Sequence, residues 1–450
     1  MVCINLDLSS APKGNIRPLH GVNSGPMTKV FTYDARKYFC DAKFPYSRLH
    51  DVEYPYGSGE FVDIPCIFKN FDADEDLEES YNFGLSDEYI KQIVLSGSKP
   101  FFRLGVSIEH APVKRYIYPP KDYQKWARIC EHIIMHYNEG WAGGFKWNIE
   151  YWEIWNEADG RGNMWLGTPE EFYELYCVSA THLKKRFPHL KIGGCGFTRA
   201  KNAFTEGFLK YISSKEEYIP LDFYSWHRYF TDPKVMTDEA EFARALLCKY
   251  DRPAAESIFD EWNYMRDWQD QFDSYPIIKN HIGAAFCAAV LCSMQTKTDI
   301  EAAMYFEADV IKEWCGLFEV THMAIGRQKA IVGPLKPYYS FKIFNALYSM
   351  KNEIEMEIDG KGIYACAASD RESGNFGMLL TSYGSDTDVE KLHITFENLP
   401  ESNVEVRLTD SSHTYEKILE LPADRDPAHE FAIGLEIERN AVVYVGTPIE

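Results

Sequence analysis

What this chain lacks narrows its function before any motif is read. Its 450 residues carry 47 Lys and Arg against 68 Asp and Glu, a net charge of −21, and the cations form no cluster. Phosphate binding needs such clusters, so nucleic acid and anionic membrane surfaces are excluded as partners. No apolar run reaches the roughly 18 residues of a membrane helix. The opening "MVCINLDLSSAPKG" has neither the basic nor the apolar segment of a secretory signal. Eleven cysteines, an odd number without a C-x-x-C pair, make no disulfide framework and read as buried free thiols. The expectation is a soluble, cytoplasmic protein. G-x-G-x-x-G is missing, which argues against a dinucleotide fold, and so are H-x-H and H-E-x-x-H. "DADEDLEE" at 72–79 lacks the glycine and the final glutamate of a calcium loop, since Phe83 stands at the twelfth position, and reads as a solvated acidic loop. No metal and no cofactor are expected.

Between residues 17 and 350, strand-like and helix-like stretches alternate. Eight strands are expected: "RPLHGVN" (17–23), "PYSRLHD" (45–51), "PFFRLGV" (100–106), "IEYWEIWNE" (149–157), "LKIGGCG" (190–196), "LDFYSWH" (221–227), "ESIFDEW" (256–262) and "IEAAMYFE" (300–307). Between them, Trp126, Ile129, Ile133 and Tyr137 recur at helical spacing. Thr168-Pro169-Glu170-Glu171 supplies an N-cap, a first-turn proline and a capping-box glutamate for a helix that stops before Pro188. Eight such alternations predict a (β/α)8 TIM barrel, with its chemistry at the C-terminal strand ends. After residue 350 short alternating segments, from "GIYACAA" to "NAVVYVG", are separated by Gly, Asp, Ser and Asn. They predict a C-terminal antiparallel β-sandwich over 351–450, to which residues 1–16 add a strand. The domains expected are thus a barrel over 17–350 and this sandwich.

Polar residues gather where the barrel strands end: Arg48, His50 and Asp51 on the second, Asn156 and Glu157 on the fourth, His227 and Tyr229 on the sixth. Asp260 and Glu261 close the seventh, and Glu307 and Asp309 the eighth. In a barrel these ends share one mouth. Two carboxylates flanked by aromatic rings suit retaining glycoside hydrolysis, in which one protonates the leaving oxygen and the other attacks the anomeric carbon. Aromatics make up 15% of the chain, and the rings around Glu157 are expected to stack on a sugar.

"EIWNEAD" and "IFDEWNY" resemble the acid/base and nucleophile motifs of clan A glycoside hydrolases. The wider pattern resembles glycoside hydrolase family 39, which contains β-xylosidases and α-L-iduronidases. "GVNSGP" (21–26), "SRLHD" (47–51), "PPKDYQKW" (119–126), "DFYSWHRY" (222–229), "KPYYSFKIFNAL" (336–347) and "NAVVYVG" (440–446) add to it in order. The resemblance implies that Glu157 is the general acid/base, Glu261 the nucleophile and Asn156 the asparagine before the acid. It implies a sugar contact for His50 and a border to the nucleophile for His227 and Tyr229. Trp262, Tyr305 and Glu307 complete the expected substrate site. Three departures stand out. Ala158 replaces the proline after the acid, Arg103 stands where the xylosidases carry an acidic residue, and Tyr305 and Glu307 replace a tryptophan-rich eighth strand.

The activity these observations imply is cleavage of a terminal β-linked sugar from an oligosaccharide or glycoside, β-xylosidase-like and through a covalent glycosyl-enzyme. Alternatives of the same family are β-galactosidase, α-L-arabinopyranosidase and an iduronidase-like enzyme using Arg103, Lys312 or Arg327. A non-catalytic carbohydrate-binding barrel and a metal-dependent barrel hydrolase using His50, His110, His227 and Asp309 are the rivals from other classes. A homo-oligomer is compatible with the sequence.

Overall fold

The computed structural model describes residues 1–26, 28–29, 33–52, 60–160, 162, 164–308, 314–322, 329–422 and 431–449. Asp309, Lys312 and Arg327 lie outside them. Eight strands form a closed parallel barrel in chain order: β1 (Gly21–Asn23), β2 (Tyr46–Arg48), β3 (Lys99–Leu104), β4 (Tyr151–Ile154), β5 (Lys191–Phe197), β6 (Phe223–Tyr229), β7 (Glu256–Asn263) and β8 (Ala302–Tyr305). Each falls within or overlaps one of the eight stretches read as strands.

Side-chain alternation assigns the two faces of each strand. Tyr46, Phe101, Tyr151, Phe223, Ile258 and Met304 point inward and plug the N-terminal end of the barrel as one buried cluster. Tyr151 stacks on Phe101 at 5.1 Å and meets Tyr46 edge-on at 5.5 Å. One layer higher the interior turns polar, with Arg48, Arg103, Glu153, Ser225 and Asp260 all buried. The outward residues, among them Phe102, Trp152, Ile154, Tyr224, Trp226 and Phe259, belong to the large core under the helices. The helix Tyr123–Asn138 buries Trp126, Ile129, Ile133 and Tyr137, and Pro169–Arg186 starts with the full Thr168/Glu171 capping box.

The helix His281–Lys297 follows β7 and is buried on every side from Gly283 to Gln295. It can be apolar all round because it lies between the barrel and a seven-stranded sheet, where Cys292 Sγ comes within 3.4 Å of Cys366 Sγ. No single helix among the described residues is long and apolar enough to cross a membrane. All eleven cysteines are free; contrary to expectation Cys40 and Cys248 are exposed.

The C-terminal region forms two sheets. The larger runs Gly14–Asn15, Asn352–Ile354, Tyr364–Asp370, Asn375–Thr381, Val442–Gly446, Val404–Thr409 and Glu416–Leu421. The smaller runs Met356–Asp359, Val2–Asp7, Val389–Glu397 and Phe431–Glu438. Among the described residues the sandwich is antiparallel as expected at every pairing but one, since Val2–Asp7 pairs antiparallel with Met356–Asp359 but parallel with Val389–Glu397. A strand from the other end of the chain enters in a direction no local turn dictates. Phe431–Glu438 and the hairpin of Phe318–His322 with Lys329–Pro334 were not among the expected strands.

Candidate active site

The fourth and seventh strands both break regular pairing as they reach the barrel mouth. Trp155 adopts φ +71° and Glu157 φ +43°, left-handed conformations that cost energy and concentrate at functional sites. The twist sends Trp155 out into the core, where its Nε1 donates to the Met164 carbonyl at 2.9 Å, and leaves Asn156 and Glu157 facing the barrel axis. In β7 the pairing with β6 runs Trp226 to Phe259 and then His227 to Glu261. Asp260 is the extra residue of a β-bulge, so Asp260 and Glu261 both face inward and Trp262 faces outward.

Three side chains then converge. His227 Nδ1 lies 2.8 Å from Glu157 Oε1 and 3.7 Å from Glu261 Oε1. One oxygen of each glutamate and one His227 nitrogen all fall within 4.8 Å of one another. A cation could be held by such a trio. Its members are nevertheless already engaged in proton contacts.

The two carboxyl groups have unlike surroundings. Glu261 is 5% exposed; the Tyr229 hydroxyl donates to its Oε1 at 2.7 Å and Arg48 Nη1 to its Oε2 at 3.1 Å. Burial and the neighbouring Glu157 raise its pKa, while Arg48 and the Tyr229 hydroxyl oppose the rise. Glu157 keeps 19% of its side-chain surface and has no such pair of donors. Burial, followed by the charges of Asp159 and Asp51, pushes it up to about 8 against the pull of Arg48. His227 is pulled down to about 4, chiefly by burial, and is neutral at pH 7. The arrangement therefore sets a carboxyl that keeps its proton opposite one whose anion two donors stabilise, the division of labour acid–nucleophile chemistry needs.

Arg48 is fully buried and links the floor of the site. Its guanidinium reaches Glu153 at 2.7 Å, Asp260 at 3.0 Å and Glu261 at 3.1 Å, and donates to Asn156 Oδ1 at 2.6 Å and Asn23 Oδ1 at 3.1 Å. His50 Nε2 lies 3.3 Å from Asn156 Nδ2 and 3.6 Å from Asp51 Oδ1. His50, Asn156, Glu157, His227, Tyr229 and Glu261 are thus brought together.

Other expected site residues are not. Trp262 is fully buried against Tyr305, Phe286 and Phe341, and Tyr305 is buried beside it. Both point away from the mouth because they sit on the outward phase of their strands. Trp152 and Trp155 likewise fill core, so the rings of "YWEIWNE" stack on no sugar. Glu307 is fully buried and its Oε2 accepts from Ser24 Oγ at 2.7 Å. Arg103 does not offer its charge to the pocket, for Asp63 Oδ1 accepts from its Nη2 at 2.5 Å. His110 is exposed and is not part of the Glu157–His227–Glu261 trio. In the acidic stretch 72–79, Glu75 is not merely solvated but pairs with Lys125 at 2.9 Å and Arg128 at 2.7 Å.

Sequence reasoning passed over Phe306 and Asp159, and Trp268 also borders this group. Phe306 follows Tyr305 on the inward phase and lies 6.4 Å from the rings of both His50 and Tyr229. Trp268, 53% exposed, meets Tyr229 edge-on at 5.0 Å. Asp159 accepts from the Thr198 hydroxyl at 2.6 Å and from Asn202 Nδ2 at 2.5 Å, tying the β4 loop to the β5 loop. Strict alternation along β8 was signal enough for Phe306; the other two sit in loops without a periodic signature.

A closed parallel barrel whose mouth sets an inward carboxyl pair against a buried arginine has the architecture of a glycoside hydrolase. The family model of glycosyl hydrolases family 39 matches residues 23–359, and the chain belongs to that family. It is 24% identical over 327 residues to a β-xylosidase of Geobacillus stearothermophilus, covering 65% of this chain and 62% of the relative. It is 27% identical over 318 residues to a β-xylosidase of Caldicellulosiruptor saccharolyticus, covering 66% and 62%. The aligned region therefore spans just over three-fifths of the length of each relative. Among solved structures, a glucosidase from Croceicoccus marinus superposes with a TM-score of 0.79 at 21% identity, over 100% of this chain and 99% of that one.

Proposed function

We propose that the protein is a retaining glycoside hydrolase that removes a terminal β-linked sugar, with Glu261 as nucleophile and Glu157 as general acid/base. The observation that carries this reading is the approach of the two glutamates to within 4.8 Å of each other, His227 between them. Retaining chemistry wants its carboxyl groups about 5–5.5 Å apart, whereas an inverting pair needs roughly 6.5–9.5 Å to seat a water. The unequal donors favour the roles: Glu261, held by Tyr229 and Arg48, is ready to attack as an anion, and Glu157 keeps its proton for the leaving oxygen. Once the covalent glycosyl-enzyme has formed, Glu157 is the base that activates water. On this reading Asn156, oriented by Arg48, is the donor to the sugar 2-hydroxyl.

β-Xylosidase activity is the substrate reading favoured here, because both curated relatives above carry that name. An iduronidase-like substrate is disfavoured by Arg103, whose charge is spent on Asp63. A panel of aryl glycosides of xylose, glucose, galactose, arabinopyranose and uronates tests the proposal. Turnover of the β-xyloside is expected, with the β-anomer of xylose as the first product seen by proton NMR and no loss on adding chelator. Glu261→Gln is expected to fold and to lose turnover. A first product of inverted configuration, or near-wild-type hydrolysis by Glu261→Gln, rejects the mechanism. Sugar binding without product across the panel would favour a binding barrel instead.

A further inference from the structure

Beneath the two glutamates lies a second pair of acids that the mechanism does not use. Glu153 on β4 and Asp260 on β7 are both completely buried, and within this layer they share one cation, Arg48, with Glu261. One positive charge among three dry carboxylates leaves a net charge of −2 if all ionise, and burial makes that costly. Their donors are unequal. Glu153 Oε1 accepts from the Ser225 hydroxyl at 2.5 Å and its Oε2 from Arg48 Nε at 2.8 Å. Among the described residues neither Asp260 oxygen meets a hydroxyl or amide donor, and the cation at its side is Arg48, with Nε at 3.0 Å. The two carboxyl groups nevertheless close on the same nitrogen, Arg48 Nε, Glu153 at 2.8 Å and Asp260 at 3.0 Å. Two carboxylates crowded on one guanidinium nitrogen in a dry interior repel unless one of them carries a proton.

We propose that Glu153 and Asp260 form an acid–carboxylate pair that keeps a single proton, resting on Asp260, so that the pair balances Arg48 with one negative charge and tunes the ionisation of Glu261. This deepens the reading of Glu261 as nucleophile and rests on it. Glu153 and Asp260 are positioning residues, since they touch Arg48 rather than substrate. Burial, and after it the charge of Glu153, hold the Asp260 carboxyl well above the usual carboxylate range. Glu153 sits below that range despite its burial, because Arg48, Asp260 and Ser225 stabilise its anion.

The other groups facing the pair do not take over this charge. Asn23 on β1 donates to the Asp260 and Met304 carbonyls. Arg103 on β3 is paired with Asp63. On β5, burial pushes the Cys195 thiol up and leaves it neutral. On β6, Ser225 is neutral, and His227, whose Nε2 is 3.5 Å from Asp260 Oδ1, is also neutral. Tyr229 and Glu157 lie one layer above, on Glu261 and His227.

The test is a double-mutant cycle read in the pH dependence of kcat/KM. Its acidic limb follows ionisation of Glu261, and removing an anion beside Glu261 must move that limb to lower pH. In Asp260→Asn the amide mimics the protonated acid and Glu153 stays ionised. In Glu153→Gln the proton leaves Asp260, which becomes the anion. Each single variant therefore keeps one charge, and its limb is expected within about 0.3 pH units of wild type. The double variant loses the charge, and its limb is expected to fall by about one unit or more, a strongly non-additive result. Comparable downward shifts in both single variants, adding in the double, would overturn the proposal.

If a variant fails to fold, infrared spectra of the wild-type enzyme labelled with 13C-aspartate decide. A protonated aspartic acid band persisting to about pH 9 is expected for so strongly buried an acid, and its absence overturns the assignment. That readout needs no turnover, so it stands or falls separately from the glycosidase reading.

Discussion

Glu157 and Glu261 are the same residue type in one pocket, and their neighbours separate them. Two donors on Glu261 stabilise its anion; burial and Asp159 leave Glu157 protonated up to about pH 8. On the proposed mechanism Glu157 must carry its proton, so kcat/KM is expected to decline as pH rises through about 8, and a rate profile over pH 5–10 checks this. Glu157→Ala should slow substrates with poor leaving groups by 10²-fold or more, the usual order for general acid catalysis. The loss should be far smaller on activated aryl glycosides, and equal losses on both would remove the acid role. Both glutamates were legible in the sequence because each sits in a motif at an expected strand end. Their unequal proton affinity was not, since it depends on Tyr229, Arg48 and Asp159 arriving from other strands and loops.

The two strands that bring the glutamates to the site do so where regular geometry is interrupted, β4 at left-handed Trp155 and Glu157 and β7 at its bulge. Plain alternation along β7 would have put Asp260 and Glu261 on opposite faces; the bulge turns both inward and moves Trp262 out. That is why Trp262 was misjudged while Phe306, on an unbroken phase, was available to the same reasoning. On β5, Gly196 sits at φ +54°, and a Cβ there would meet Arg48 Nη2 at 2.8 Å, Asn156 Oδ1 at 3.0 Å and His227 Nε2 at 3.2 Å. Gly196→Ala is therefore expected to displace the floor of the site and lower kcat/KM by roughly 10–100-fold with the circular dichroism spectrum unchanged. A variant as active as wild type would mean that the site tolerates movement of Arg48.

The whole molecule joins its barrel and sandwich through the buried helix His281–Lys297, and the sandwich is completed by the first strand of the chain. Ile4 is fully buried in that strand, in register with Ile358 on one side and Ile394 on the other. Ile4→Ala is expected to cost about 2–5 kcal/mol, seen as a lower melting temperature, while kcat at 25 °C stays near wild type because no catalytic group touches the sandwich. A large loss of kcat with unchanged melting would contradict that separation. The parallel pairing of Val2–Asp7 with Val389–Glu397 joins segments nearly four hundred residues apart, and such pairings leave no local turn signal to read.

Taken alone, the sequence determined the eight-fold alternation of the barrel, the capped start of the Pro169–Arg186 helix, the family and the two glutamates that face each other. Periodicity, turn residues and short motifs are properties of neighbouring residues, and those are what a sequence carries. Which rings line the mouth, which carboxyl keeps its proton and where the N-terminal strand pairs were decided only in the folded chain. A bulge, a left-handed residue or a buried arginine acts through space, on groups whose separation along the polypeptide says nothing about their distance.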